Sequence, residues 1–382
     1  MAFILNEEQQ SLLDMVDDFL TNELDPIVEE YDDKSEMPMQ VLEQATEMGL
    51  HMLSAPESCG GMELDMMTVY AMEEQMGMHD AALTYTLMNT STMFDSIVKA
   101  GTPEQREKYT KVVQDGGMLG FCLTETTGSS DAANMRTTAV KDGDDYIING
   151  NKIFITSGSI AKAFVVFAVT DKEKGPHGIS CFIVDADNPG LSVGKHENKL
   201  GLRMSPTNEI IFQDCRVPAS MMLGPENKGF ITAMIGLDTG RLTTSAIAMG
   251  ITKRALKEAM KYTNERVVAG RPIYKNQYIA YTLAEYSARL DACEALLQNA
   301  VAAKESGASI NKLAAECKLL STDLAAEASC TAVQYFGGYG VCKDYPVEKL
   351  YRDAKILQIV EGANEVMRLV ISRAMTKEYG VK

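Results

Sequence analysis

The sequence predicts an α+β chain of several domains: a helical block over residues 1–118, a β block over 119–225 and a second helical block over 226–382. Three observations predict it. Apolar residues recur at helical spacing at both ends of the chain but not in its middle. The middle is a series of short β-type segments separated by Gly and Asp turns. With 382 residues, 46% of them hydrophobic, the chain can fill two or three cores.

The helical start is signalled by Asn6 and Gln9, a capping box, followed by Leu12, Leu13, Val16, Phe19 and Leu20 on one face. The stretch Met-Ala-Phe-Ile-Leu-Asn-Glu-Glu before them lacks a basic leader and already reads as structure. Helices are predicted over 39–48, stopped by Gly49, over 65–76 and over 80–99. Thr102-Pro103-Glu104-Gln105 opens another, with an N-cap, a proline at the first position and Gln at the third. The methionines at 62, 66, 67, 72, 76 and 78 read as adaptable core. In the β block, strands are predicted at 119–123, 163–169, 179–184, 191–195 and 209–212. Asn149-Gly150 is predicted to turn a hairpin within 146–155. Such a set forms a small barrel or an orthogonal sandwich. Long periodic segments at 242–268, 277–305 and 310–336 build the last block, and Gly337-Gly338-Tyr339-Gly340 breaks the third of them.

Charge narrows the function. A formal net charge of −17 and a pI near 4.8 disfavour nucleic acid and anionic membrane as partners. No apolar run approaches the ~20 residues that span a bilayer. The eight cysteines are scattered without C-x-x-C spacing, which reads as reduced thiols in a cytosolic chain and gives no metal site. The four isolated histidines offer no nucleophile–base pair, so the chemistry is expected to come from a cofactor.

The stretch from Tyr351 to Val370 singles out one carboxylate. An apolar run ends at Val360, Glu361 and Gly362 follow, and Asn364 and Glu365 open a further helix. Glu361 then lies in a tight turn between two helices. Against an apolar wall its pKa would rise and it could act as a base near neutral pH. An exposed loop glutamate is the alternative.

Six stretches in order resemble the acyl-CoA dehydrogenase family of flavoproteins over essentially the whole chain. They are Phe121-Cys-Leu-Thr-Glu-Thr-Thr-Gly-Ser-Ser-Asp131, Asn149-Gly-Asn-Lys-Ile-Phe-Ile-Thr156, Leu200-Gly-Leu-Arg203, Leu237-Asp-Thr-Gly-Arg241, Gln334-Tyr-Phe-Gly-Gly338 and the opening stretch. The resemblance implies an N-terminal helical domain, a middle β-barrel and a C-terminal four-helix bundle that carries homotetramer contacts. It implies FAD, held by Phe121, Leu123, Thr124, Ser130, Phe154, Thr156, Arg266, Gln277, Gln334, Gly337, Gly338, Ala363 and Glu365, with the 334–338 loop reaching it from a neighbouring subunit. It places Ser130, Asp238, Arg241 and Gly362 at the CoA ester, and Glu361 as the catalytic base. Some family members carry that base just before Arg241, where this chain has Gly240. Departures are Thr126 for the usual Pro, and Ala363-Asn364 for the usual Thr-Ser, which removes a hydroxyl at 363. Asn364 is expected to cap the following helix.

The resemblance implies cytoplasmic dehydrogenation of acyl-CoA, or the reverse reduction of enoyl-CoA, exchanging electrons with an electron-transferring flavoprotein. The polar run Thr84, Tyr85, Thr86, Asn89, Thr90, Ser91 and Thr92 reads either as an inter-helix polar face or as a pocket for a carnitine-derived, hydroxylated or aromatic acyl group. An acyl-CoA oxidase or flavin monooxygenase on the same fold, and a non-catalytic scaffold, are the competing readings.

Overall fold

The computed structural model describes residues 5–380. The opening stretch read as structured therefore has its first four residues outside the described residues. Helices α1 (Glu7–Glu23), α2 (Val28–Lys34), α3 (Met39–Glu47), α4 (Met66–His79), α5 (Ala81–Ala100) and α6 (Pro103–Gln114) come first. Both capping boxes form. The Asn6 side chain accepts from the Gln9 N–H at 2.9 Å, and Thr102 accepts from Gln105. Helix α2 was not foreseen; its short charged sequence, Val-Glu-Glu-Tyr-Asp-Asp-Lys, carries little periodicity.

The β region comprises β1 (Met118–Cys122), β2 (Thr138–Asp142), β3 (Asp145–Thr156), β4 (Ala161–Val169), β5 (Ile179–Asp185), β6 (Leu191–His196) and β7 (Thr207–Pro218). They form one mixed sheet ordered β1-β4-β2-β3-β7-β6, with β5 also on β4. Strand alternation sorts its side chains to two faces. Cys122, Ile148, Phe164, Phe182, Ile210 and Val217 meet in a core enclosed by the sheet itself, as in a barrel. Leu119, Val165, Phe167 and Ile183 point the other way, against Phe94, Ile97, Tyr109 and Val113 of α5 and α6.

The predicted hairpin at Asn149-Gly150 does not form. Strand β3 runs straight through it, and the β2–β3 turn is at Gly143, φ +63°. Asn149 instead clasps Asp214 on β7, accepting from its N–H at 2.8 Å and donating to its carboxylate at 3.2 Å. Gly150 sits where the β3–β7 register shifts, and a Cβ there would come 2.4 Å from Thr137 Oγ1. The Asn-Gly pair serves a bulge.

Helices α7 (Gly229–Glu265), α8 (Gln277–Glu305), α9 (Asn311–Phe336), α10 (Val347–Leu357) and α11 (Asn364–Glu378) complete the chain, with a short pair β8 (Val267–Val268) and β9 (Arg271–Pro272) before α8. Helix α9 packs on the other four. One apolar core joins α1, α3, α4 and α5 to α7, α9 and α10, through Leu20, Met72, Leu87, Ile247, Ala325 and Leu357. The α4–α7 crossing is close because Gly250 has no side chain; a Cβ there would lie 2.3 Å from the Glu74 carbonyl oxygen. No described helix is long and apolar enough to cross a membrane.

The Leu200–Arg203 stretch latches the β region to the helices. The Leu202 N–H donates to Asp353 at 2.6 Å, and Arg352 reaches Asp32 at 2.7 Å and the Leu200 carbonyl at 3.2 Å. Only glycine fits at 201, since a Cβ would fall 2.3 Å from the Arg352 carbonyl oxygen. The latched helix α10 ends four residues before Glu361.

Candidate active site

Glu361 lies in the turn between α10 and α11 with φ +54°, a left-handed backbone that costs a non-glycine residue ~1–3 kcal/mol and persists where its surroundings over-determine it. Those surroundings are visible. The Tyr85 hydroxyl donates to Glu361 Oε1 at 2.9 Å, and Arg241 Nε lies 3.4 Å from the Glu361 carbonyl oxygen. Lys318 Nζ donates to the Gly362 carbonyl at 2.9 Å. Burial pushes the Glu361 carboxyl above its ordinary pKa, opposed by the Tyr85 hydrogen bond and the charges of Arg241 and Lys318. Among the described residues the Glu361 backbone N–H has no acceptor.

The carboxyl closes a narrow pocket between α5 and α7. Its walls include Tyr85, Met88, Asn89, Phe121, Leu237 and Gly240, and its cavity volume is about 20 Å³. The structure thus brings Phe121 and Glu361 together. Of the polar run on α5, Tyr85, Asn89 and Thr92 line the pocket. Thr84 and Thr86 donate to backbone carbonyls one turn back, Thr86 also meets Ser205, and Thr90 accepts from the Leu119 N–H at 3.1 Å. Most of that polarity is spent within α5 and on β1, so the expected inter-helix polar face does not form. Asn89 spends its amide on the Leu119 carbonyl at 2.7 Å.

The strand that pairs with the segment after Phe121 presents an exposed aromatic residue, Phe154. The Ile153 N–H donates to the Thr124 carbonyl at 2.9 Å, which sets Thr124 next to Phe154. A register shift in β3 between Lys152 and Ile155, with φ +58° at Phe154, leaves that residue 59% exposed. A bulge that turns an aromatic ring to the outside leaves a flat face ready for a planar ligand. Thr156 follows on the same strand, and Leu123 is buried beneath. A buried ion pair braces the loop: Lys152 Nζ donates to Glu125 at 2.8 Å and to the Leu123 carbonyl at 3.1 Å, while Glu125 accepts from the N–H groups of Arg136 and Thr137. Ser130 lies on the exposed part of that loop.

The other expected cofactor residues do not share this surface. Arg266, whose guanidinium has no ion-pair partner among the described residues, opens with Gly337 and Gly338 onto a separate cavity of about 380 Å³. Gln277 and Gln334 are exposed and line neither cavity. Asp238 and Arg241 form an i,i+3 ion pair at 2.7 Å, and Arg241 is 5% exposed. Ala363 is the N-cap residue of α11, and Glu365 is exposed on its first turn. Asn364 is not the cap. It is the first helical residue, and its side chain is drawn inward to Lys318 at 2.8 Å and Asp323 at 2.7 Å.

Lys318, Lys152 and the Tyr85–Glu361 bond escaped sequence reasoning. Each looks like an ordinary polar residue until its partner, 27 to 276 positions away, is placed beside it.

Profiles of the acyl-CoA dehydrogenase N-terminal, middle and C-terminal domains match residues 6–134, 120–215 and 227–376. The chain belongs to the acyl-CoA dehydrogenase family. It is 41% identical to an acyl-CoA dehydrogenase of Bacillus subtilis over 97% of this chain and 98% of that one. Butyryl-CoA dehydrogenase from Megasphaera elsdenii superposes with a TM-score of 0.95 at 38% identity, covering 98% of this chain and all of that one. A chain in the structure of the electron transferring flavoprotein of Acidaminococcus fermentans, described in the context of flavin-based electron bifurcation, matches equally at 0.95, with 41% identity and 98% and 99% coverage. The acyl-CoA dehydrogenase arrangement of helical, β and helical regions is the one this chain adopts.

Proposed function

We propose that the chain binds FAD and oxidises, or in reverse reduces, the Cα–Cβ bond of a short acyl-CoA thioester, exchanging electrons with an electron-transferring flavoprotein. The observation that carries this reading is Glu361: a buried carboxyl of raised pKa at the end of a pocket whose wall includes Phe121. The exposed Phe154 ring beside Thr124 and Thr156 fits the flat ring system of FAD, and the unpaired Arg266 opposite Gly337 and Gly338 fits a diphosphate or nucleotide. Because Phe154, Thr124 and Thr156 do not line the cavity of Arg266, Gly337 and Gly338, each FAD would draw one half from a neighbouring copy, in a homotetramer. A cytoplasmic location goes with this reading.

FAD, when bound, supplies the hydride acceptor and donor. The protein handles the proton. The α-hydrogen of a thioester is a weak acid, and Glu361, held by Tyr85 Oη, is placed to remove it; in the reverse direction the protonated carboxyl returns it. The unpaired Glu361 N–H is a donor for the thioester oxygen, where charge builds as the proton leaves. The narrow pocket favours a short acyl group. Asp238, less buried than Arg241, is the residue of that pair open to the CoA portion.

Anaerobic titration of the purified protein with acyl- and enoyl-CoA esters tests this. The protein should be yellow, and short saturated esters should bleach it. Glu361→Gln should stay yellow and not bleach. A colourless protein, or a variant that bleaches as fast as the wild type, would overturn the reading. Peroxide formed in air with no other acceptor would make the protein an oxidase.

A further inference from the structure

Lys318 has a fully buried side chain in the middle of α9, and among the described residues no carboxylate lies within ion-pairing distance of it. Its ammonium rests on two neutral oxygens, the Gly362 carbonyl at 2.9 Å and Asn364 Oδ1 at 2.8 Å. Burying a charge on neutral acceptors is costly, and a neutral donor would hold the same two oxygens at lower cost. What a neutral donor cannot supply is a positive field behind Glu361.

The surrounding bonds make the turn a stapled unit. Asn364 Nδ2 donates to Asp323 at 2.7 Å and to Thr322 at 3.0 Å. Asp323 also accepts from Gln358 at 2.7 Å and from Arg368 at 3.1 Å. Residues before, within and after the turn thus converge on one stripe of α9 formed by 318, 322 and 323. The double-ended amide of Asn364 is what lets one side chain face both an ammonium and a carboxylate; the serine usual at this position has one hydroxyl to offer.

We propose that Lys318 is a positioning residue for the reaction: it fixes the 358–364 turn through Gly362 and Asn364 and supplies the positive field in which Glu361 ionises. This rests on Glu361 being the base. The charged groups acting on Lys318 are Glu361, Asp323, Arg241 and Glu365, and burial pushes its pKa down to about 7. Burial pushes Glu361 toward its neutral form as well, and the charge of each group opposes that shift in the other.

Lys318→Met removes the charge and keeps most of the volume. Its kcat should fall about tenfold or more with KM little changed, as for a displaced base. The acid limb of its kcat/KM profile should move up by about one pH unit, because the carboxylate loses a stabilising charge. Amide exchange across 359–364 should quicken in Lys318→Met and, less so, in Asn364→Ser, which keeps the charge and loses one acceptor. A Lys318→Met enzyme with the wild-type pH profile overturns the proposal, even if its melting temperature drops. If Lys318→Met does not fold, wild-type exchange across 359–364 in Asn364→Ser overturns it. The exchange measurement needs no substrate, so it judges the staple even if Glu361→Gln retains turnover and the functional reading falls.

Discussion

The Glu361 carboxyl occupies the space that a side chain at residue 240 would fill. A Cβ on Gly240 would sit 2.7 Å from Oε2 and 3.0 Å from the carboxyl carbon. Position 240 is where some family members carry the base, so the two places are alternatives in space as well as in sequence.

Gly240→Ala should therefore push Glu361 off its position. A base displaced by about 1 Å loses on the order of 100-fold in rate. Steady-state kcat should fall by that order while the melting temperature and flavin content stay near wild type. A fully active Gly240→Ala enzyme would show that Glu361 is free to move.

Tyr85→Phe deletes the hydroxyl that donates to Glu361 Oε1. That bond favours the ionised carboxyl, so its loss raises the Glu361 pKa further. As the proposed base, Glu361 must be deprotonated to act, so the acid limb of kcat/KM should shift to higher pH. With the bond worth ~1.5–3 kcal/mol to a charged group, the shift should reach about one to two units. A pH–rate profile from pH 5 to 9 measures it.

Lys152→Met should destabilise the β region by about 3–5 kcal/mol, since Glu125 would be left as an uncompensated buried charge. Lys152 is completely buried, and its pair holds the loop through Leu123, Arg136 and Thr137. Thermal melting should show the loss as a lower midpoint than in the wild type. Glu125→Gln in the Lys152→Met background should recover part of it.

Glu73 gives a pH dependence of stability. It is buried in α4, Thr243 donates to one of its oxygens, the other has no partner, and burial pushes its pKa up to about 8. Its folded pKa lies above its unfolded value of 4.5. The native state therefore holds the proton more tightly, and the stability this gives is complete below pH 4.5 and lost as pH rises through 8. Glu73→Gln, which cannot ionise, should melt close to the wild type at pH 5 and above it at pH 9. Calorimetric scans at the two pH values decide this.

The helical regions were legible because their starts are written locally: Asn6 with Gln9, Thr102 with Pro103 and Gln105. Glu361 was legible because an apolar run followed by Glu-Gly and a new helix is also a local pattern. The Asn149-Gly150 pair misled because glycine at φ +150° serves a bulge as well as a turn, and only the partner strand distinguishes them. Lys318 was illegible because a lysine between Cys317 and Leu319 reads as a solvated helix position. Its burial depends on the 358–364 turn lying across α9, which no spacing within α9 records. Asn364 was misplaced for the same reason: its preference for a cap was outweighed by a lysine and an aspartate on another helix.

Helix α10 carries Arg352 and Asp353, which latch the Leu200–Arg203 stretch, and ends just short of the turn holding Glu361. The link between the sheet and the helices and the mounting of Glu361 therefore share one short helix, gripped at its middle by the Leu200–Arg203 stretch. Loosening that grip, as with a residue larger than glycine at 201, would tilt the end that leads to Glu361. Such damage would surface as slower chemistry at a site that the altered residue never touches.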